Sequence, residues 1–535
     1  MIEDLRRLGG GAPIACDLCL IGAGAAGITV AREFIGSGLT VCLVESGGFD
    51  FDNQTQALYA GKNVGLPEHG VDIGRLRFFG GTTNHWGGRC TPLAPLDFAV
   101  RPWIPYSGWP ITRNDLDPYY RRARDVCGLG VPRTPAEILS ELALRPPTLP
   151  PNLLELKLWE HAPYPWSFGA VYREELRKAA DIHVLLHANL TQIATTTARS
   201  AVSAITVTSL EGASRVITAR CYVLCCGAIE NARQLLSTAD ETAPALGNGH
   251  DLVGRFYMDH FRGQVATLVT ADPQPEIETV FNYFGDPTQR LYQTGIELSP
   301  EAQRDQNLLN ACAVFDYEGD PQSGIAEAQA IWRQLQQGKW APDIGEKVWR
   351  VLRDLDGVAA MVRRRLSTDR HPLMPLKAAL IVSDIEQAPN PESRVTLSNI
   401  HDALGQRRVC VDWRATALER RTARHFALSI GSALLRVGFG RCRVEPWLAG
   451  PPGEAPLGLG ETYHQSGTTR MAADPRFGVV DADCRVHGVE NLYVAGSSVF
   501  PTGGHANPTF TIVALALRLA DHLKVVLRQF ARAAP

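Results

Sequence analysis

Apolar and polar positions along the chain fall into distinct textures. Near the amino terminus an apolar run, CDLCLI (16–21), leads through a Gly-rich turn into GITVAREFIGSG, whose apolar residues recur at helical spacing. A second apolar run, LTVCLVE, ends at Glu45. Short unbroken apolar runs joined by a helix predict a βαβ unit of a parallel sheet. Further on, an AVYREELRKAA helix leads to HVLLHANLTQIATT and AVSAITVTS, which alternate like antiparallel strands, and RVITARCYVLCCGAIENARQLL reads as strand, turn and helix. Residues 131–170 are Pro-rich and read as loop or cover segments. Residues 265–450 show alternating strands around a block with helical spacing at 323–370. That block carries Trp332, Trp340 and Trp349 and ends in Arg363, Arg364 and Arg365, and it reads as two amphipathic helices covering a sheet. The last segment returns to strand and then helix, in NLYVAGSSVF and NPTFTIVALALRLADHL.

The expected fold class is therefore α/β, with α+β character in a second domain. A Rossmann-like dinucleotide-binding domain is assembled from discontinuous segments, 14–100, 171–264 and 451–535. Residues 101–170 and 265–450 form a substrate-binding domain with an antiparallel sheet covered by helices.

The first βαβ unit carries Gly22-x-Gly24-x-x-Gly27 at its turn and an acid, Glu45, at the end of its second strand. Glycines there let backbone approach a pyrophosphate at a helix N-terminus, and an acid about 20 residues on accepts ribose hydroxyls. The segment FFGGTTNHWGGRCTPL (78–93) is too Gly-dense for a regular element and suits close backbone approach to a ligand.

Composition narrows the function classes. A formal net charge of -3 over 535 residues offers no basic face for nucleic acid. Glu3 and Asp4 interrupt the amino terminus before any apolar run, and no apolar stretch approaches the roughly 20 residues of a membrane helix, so a cytoplasmic protein is expected. The twelve cysteines lie in apolar segments and read as buried thiols, including the Cys16/Cys19 and Cys225/Cys226 pairs. Cys16 and Cys19 have C-x-x-C spacing, but strand alternation puts them on opposite faces, poor geometry for a metal or disulfide, and no metal site is expected.

Taken together, GAGAAG with Glu45, GGTTNHWGG, CCGAIENARQLL, EQAPNPESRVTLS, YHQSGTTRM and the terminal VVDADCRVHGVENLYVAGSSVFPTGGHANPTFTIVALA resemble the glucose–methanol–choline (GMC) oxidoreductases, in a pattern nearer the pyranose oxidase and glycoside 3-dehydrogenase-like sugar enzymes. The resemblance implies FAD as cofactor, with contacts from Gly22, Gly24, Gly27, Glu45, Gly81, Thr82, Asn84, His85, Trp86, Gly87, Gly496, Asn507, Pro508 and Thr509. It implies a catalytic pair, with His464 as general base and Asn507 orienting the hydroxyl. His505 and Gln465 are candidates for the substrate pocket, while Asp481 and Arg394 read as structural hydrogen-bonding residues. His85 stands where some relatives attach FAD covalently, although close non-covalent contact is the preferred reading. Gly87 supplies no hydroxyl where oxygen-using relatives carry one, which tips the reading slightly toward a dehydrogenase.

The implied reaction is oxidation of an alcohol carbon, most readily a secondary hydroxyl of a sugar or glycoside, by hydride transfer to flavin N5. The electron acceptor is a quinone, a redox protein or oxygen, and an oligomer is compatible with the chain. Two alternatives stay open: a hydroxynitrile lyase-type activity with non-redox FAD, and oxidation of a non-sugar alcohol. A NAD-dependent dehydrogenase is disfavoured by the GTTRM and NPTFT segments.

Overall fold

The computed structural model describes the chain except for residues 9–10, 67–69, 270–274, 287–289, 320–343, 354–375, 450–457 and 534–535. Its first sheet has eight strands. The parallel run, in spatial order, is Ile2–Asp4, Ile182–Leu186, Val41–Val44, Ile14–Ile21 and Ser214–Leu224. On the far side of Ser214–Leu224 two neighbours share one edge. Its carboxyl end pairs in parallel with Leu492–Val494, while its amino end runs antiparallel to Val202–Thr208, followed by Asn189–Thr195. Val41–Val44 is buried at every position, as a parallel strand covered by helices must be. The helix Ala25–Glu33 packs against Phe168–Lys178 and against Pro508–Ala533, which in turn packs on Arg113–Val126.

The second sheet also has eight strands, all antiparallel. Its order is Arg441–Val444, Phe261–Val269, Leu376–Ile385, Ala311–Gly319, Leu291–Leu298, Leu154–His161 and Arg89–Cys90, with Tyr283–Gly285 beside Leu291–Leu298. Alternation gives the two faces different characters. Ala311, Ala313, Phe315, Ile381 and Ile385 share the main core with Phe426, Ala427 and Ile430 of the helix Ala417–Arg436. On the opposite face, register places Glu297 beside Cys312, Cys312 beside Asp384 and Asp384 beside Arg262. One face is an apolar support and the other carries charge. A third, small sheet joins Arg394–His401, Arg407–Asp412 and Lys62–Asn63.

Several elements depart from the sequence expectation. Ile182–Leu186 is a parallel strand, because alternation announces a strand without naming its partner. The Pro-rich stretch at 131–170 supplies the helix Pro135–Glu141 and the sheet strand Leu154–His161, both more regular than a loop. Arg89–Cys90 joins the antiparallel sheet, and a strand of two residues is too short to show any period. Of the 323–370 block, the helix Ile344–Arg353 is described, with Trp349 and Leu352 exposed; Trp332, Trp340 and Arg363, Arg364 and Arg365 lie outside the described residues. All twelve cysteines are free thiols, and burial pushes those of Cys19 and Cys225 well up. Asp481 Oδ1 accepts from the backbone of Asp483 and Arg485, and Arg394 pairs with Asp251, both structural duties.

The antiparallel sheet is tied to the segment after residue 95 by one fully buried ion pair. Arg101 donates from Nη1 to Glu386 Oε2 at 2.7 Å and from Nη2 to Oε1 at 2.5 Å, with both side chains at 0% exposure. Glu386 also accepts from the backbone N–H of Asn310 and of Gly504. Arg101→Met strands that carboxylate without its counter-ion, and we expect a loss of about 3–5 kcal/mol, read as a lowered urea midpoint.

Candidate active site

A cavity of about 620 Å³ runs along the carboxyl ends of the parallel strands, where ligands of open α/β sheets bind. One end is formed by the turn after Ile14–Ile21. Gly22 holds φ of +108°, and a Cβ there would lie 2.6 Å from the Cys225 carbonyl oxygen. Gly24 caps the helix Ala25–Glu33, and a Cβ built on it meets no atom within 4 Å because it projects into the cavity. The free N–H groups of that helix therefore face open space, as anion binding requires. Glu45 lies alongside, buried, accepting from Ala23 N at 2.9 Å and Gly47 N at 3.0 Å. These features suit the pyrophosphate and ribose of a dinucleotide such as FAD, and Gly81, Thr82, His85, Trp86 and Gly87 continue the wall.

The other end of the cavity holds the titratable groups. Here the segment 258–262 lies antiparallel to 460–466, with paired backbone hydrogen bonds between Met258 and Ser466 and between Arg262 and Gly460. That pairing sets His260 beside His464. Their Nδ1 atoms are 2.9 Å apart, and Thr462 Oγ1 lies 2.8 Å from His464 Nδ1. Thr462 donates its hydroxyl to Asp259 Oδ1 at 2.7 Å, which also accepts from the backbone of His260 at 2.7 Å and of His464 at 3.0 Å. On the opposite edge of the imidazole, Asn507 Nδ2 is 3.1 Å from His464 Nε2. Asn507 immediately precedes the helix Pro508–Ala533, so the dipole of that helix also favours negative charge at this point.

Burial sets the protonation of this cluster. It holds His464 well below the ordinary imidazole value, with His260, Arg89 and Arg262 acting in the same direction and Asp384 against it. His260 is likewise lowered by burial. Asp259 is pushed up to about 6 by burial, against the hydrogen bonds that favour its charge. Close by on the polar sheet face, Asp384 takes a hydrogen bond from Arg89 at 3.0 Å and two from Arg262 at 3.0 and 3.1 Å. Arg89 lines the cavity, stacks over Trp159 at 3.8 Å and keeps its buried Nε without a protein partner.

The structure gathers most of the residues singled out from sequence. Gly22, Gly24, Glu45, Gly81, Thr82, His85, Trp86, Gly87, His464, Gln465, Gly496, Asn507, Pro508 and Thr509 all line the one cavity. Three do not. Gly27 packs the helix onto the turn, where a Cβ would come within 1.9 Å of the Gly22 carbonyl oxygen. Asn84 turns inward, donating to Phe79 O at 3.0 Å and accepting from Ser167 Oγ. His505 is buried against the antiparallel sheet, with Nε2 2.7 Å from Glu297 Oε2, which Lys157 also reaches at 2.9 Å. Burial opposes charge on Glu297, but Lys157 and His505 outweigh it and hold the carboxyl at about 2. Sequence reasoning missed Asp259, His260 and Thr462. The only signal was a polar pair, Asp259 and His260, set in the apolar run YMDHF, which has no motif spacing to His464. Among the described residues no helix is long and apolar enough to cross a membrane, and no cluster of His, Cys, Asp and Glu is arranged to hold a metal.

Comparison with known proteins fits this arrangement. Residues 389–516, the span that carries His464 and Asn507, match the family profile described as GMC oxidoreductase. The 6'''-hydroxyparomomycin C oxidase of Streptomyces lividus is 26% identical over 95% of this chain and 92% of its own length. The fructose dehydrogenase large subunit of Gluconobacter japonicus is 23% identical over 96% and 99%. The crystal structure of a formate oxidase superimposes with a TM-score of 0.58 at 17% identity, covering 97% of this chain and 100% of that one, which shows a common fold. The profile falls on the end of the cavity that holds His464 and Asn507, and relatives named as an oxidase and a dehydrogenase align along nearly the whole chain, so this protein is similar to the GMC oxidoreductases.

Proposed function

We propose that this protein binds FAD in the 620 Å³ cavity and oxidises a secondary hydroxyl of a sugar or glycoside to a carbonyl, with His464 as general base and Asn507 orienting the alcohol. The observation that carries the reading is the pairing of His464 Nε2 with Asn507 Nδ2, 3.1 Å apart, on the wall of the cavity opposite the Gly-rich turn. FAD supplies a ring that accepts hydride at N5. The chain's own residues do the rest. His464 Nε2 takes the hydroxyl proton as the carbon gives up hydride, and the Asn507 amide donates to the substrate oxygen and fixes which C–H faces the ring. Glu45 keeps lone pairs for ribose hydroxyls beyond those committed to Ala23 and Gly47. The polar sheet face beside His464, with Arg89, Asp384 and Arg262, supports a substrate rich in hydroxyls over a simple apolar alcohol, because buried charged groups need hydrogen-bonding partners.

General bases contribute about 10²–10⁴-fold, so His464→Ala is expected to slow anaerobic flavin reduction by a sugar or glycoside by that order while FAD stays bound. Stopped-flow bleaching of the flavin measures it, and reduction at the parent rate excludes the assignment.

The pH dependence has a definite sign. Because burial makes the imidazolium costly, His464 stays neutral and competent to lower pH than a solvent-exposed histidine. The acid limb of the flavin-reduction rate is therefore expected below the ordinary histidine range near 6.5, with activity lost only as pH falls through that lowered value. A limb at or above 6.5 contradicts the buried setting of the base.

We read the cofactor as held non-covalently, with His85 in contact with it from the cavity wall. Acid precipitation of the holoenzyme should release the yellow colour into the supernatant; colour retained in the pellet indicates a bond.

A further inference from the structure

His464 has two ring nitrogens, and only one protonation pattern leaves a base facing the cavity. We propose that Asp259, acting through Thr462, and His260 are positioning residues that place the proton of His464 on Nδ1, leaving the lone pair on Nε2. The inference rests on His464 serving as the base.

His464 Nδ1 has two partners, Thr462 Oγ1 at 2.8 Å and His260 Nδ1 at 2.9 Å, and each is able to donate or accept. Thr462 has a single hydroxyl hydrogen. Asp259 Oδ1 lies 2.7 Å from it and only accepts, already gathering the backbone N–H groups of His260, Thr462 and His464. The hydroxyl hydrogen therefore points to Asp259, and a lone pair of Thr462 faces His464. His260 Nδ1, 2.9 Å from His464 Nδ1, is able to accept a proton held there. The Thr462 relay ends in an obligate acceptor and presents a lone pair to His464 Nδ1. A lone pair on that atom would face the Thr462 lone pair at 2.8 Å; a proton there satisfies Thr462 and is within reach of His260 Nδ1 as a second acceptor. Nε2 is then the acceptor of the Asn507 amide N–H until substrate arrives.

Asp259 Oδ2 is buried with no hydrogen-bond partner. When this carboxyl takes up a proton, Oδ2 holds it and Oδ1 still accepts from Thr462. The relay thus survives acidification, which a carboxylate bonded directly to the imidazole would not guarantee. Which ring nitrogen is protonated is decided by the partner of the other one, and here that partner is doubled.

The test is the ¹⁵N NMR spectrum of the FAD-loaded protein labelled at histidine, with the His464 signals identified by their loss in His464→Gln. The expected pattern is a protonated Nδ1 and an unprotonated Nε2. Thr462→Val combined with His260→Phe removes both acceptors and is expected to move His464 to a mixed or Nε2-protonated form. Flavin reduction should then slow toward the His464→Ala rate, by up to the ~10²–10⁴-fold of a general base. Thr462→Ser in the place of Thr462→Val should restore the wild-type pattern. A wild-type His464 protonated on Nε2, or a pattern unmoved in a folded, FAD-bound double variant, overturns the proposal. Should the double variant fail to fold, the wild-type spectrum decides alone. If His464→Ala reduces flavin at the parent rate while the spectrum shows Nδ1 protonated, the base assignment falls and the proton placement stands.

Discussion

The strand Ser214–Leu224 pairs in parallel with two segments that lie far apart in the chain, Ile14–Ile21 on one side and Leu492–Val494 on the other. Backbone hydrogen bonds continue past the strand ends, from Cys225 N to Ile21 O and from Ala495 N to Leu224 O. Three chain crossings are thereby held at one carboxyl edge, and each opens into a loop: Gly22–Gly24, Cys226–Gly227 and Gly496–Ser497. The cavity exists because those loops leave the sheet at the same level. Close approach is then obligatory, and it is why Gly22 tolerates no side chain against Cys225 and Gly27 none against Gly22.

The antiparallel sheet answers a different physical demand. It buries one face on the helix Ala417–Arg436 and turns the other, charged face toward the catalytic end. Charges in that setting persist only when paired, and they are: Asp384 between two arginines, Glu297 between Lys157 and His505, Glu386 against Arg101. His505 belongs to this supporting network, two residues from Asn507, and its ion pair steadies the loop that presents the amide. The residues that meet the cavity are thus held from behind by a network of which Arg89 alone lines it.

Desolvation governs the protonation of His464. An exposed imidazole is partly protonated near neutrality and its two tautomers exchange. Buried beside His260, Arg89 and Arg262, His464 is held neutral, and the choice left to it is which nitrogen keeps the proton. On the proposed reading, Thr462 backed by Asp259, with His260 as a second acceptor, makes that choice without placing a carboxylate directly on the ring.

Much of this was legible in the chain itself. Gly22-x-Gly24-x-x-Gly27 between two apolar runs, with Glu45 closing the second, announces a βαβ turn because spacing of two and three along one segment is a local property. The same holds for His464 and Asn507, each inside a contiguous motif. What the chain could not show is whatever depends on partners across long separations. The antiparallel contact of 258–262 with 460–466 joins residues some 200 positions apart, and only it brings Asp259 and His260 to His464. His505 looked like its neighbours in the motif, yet backbone direction turns it to Glu297 and away from the cavity. Local sequence determined the elements and the candidate site residues; tertiary pairing alone decided which groups surround them, because hydrogen-bond partners and burial are properties of the assembled fold.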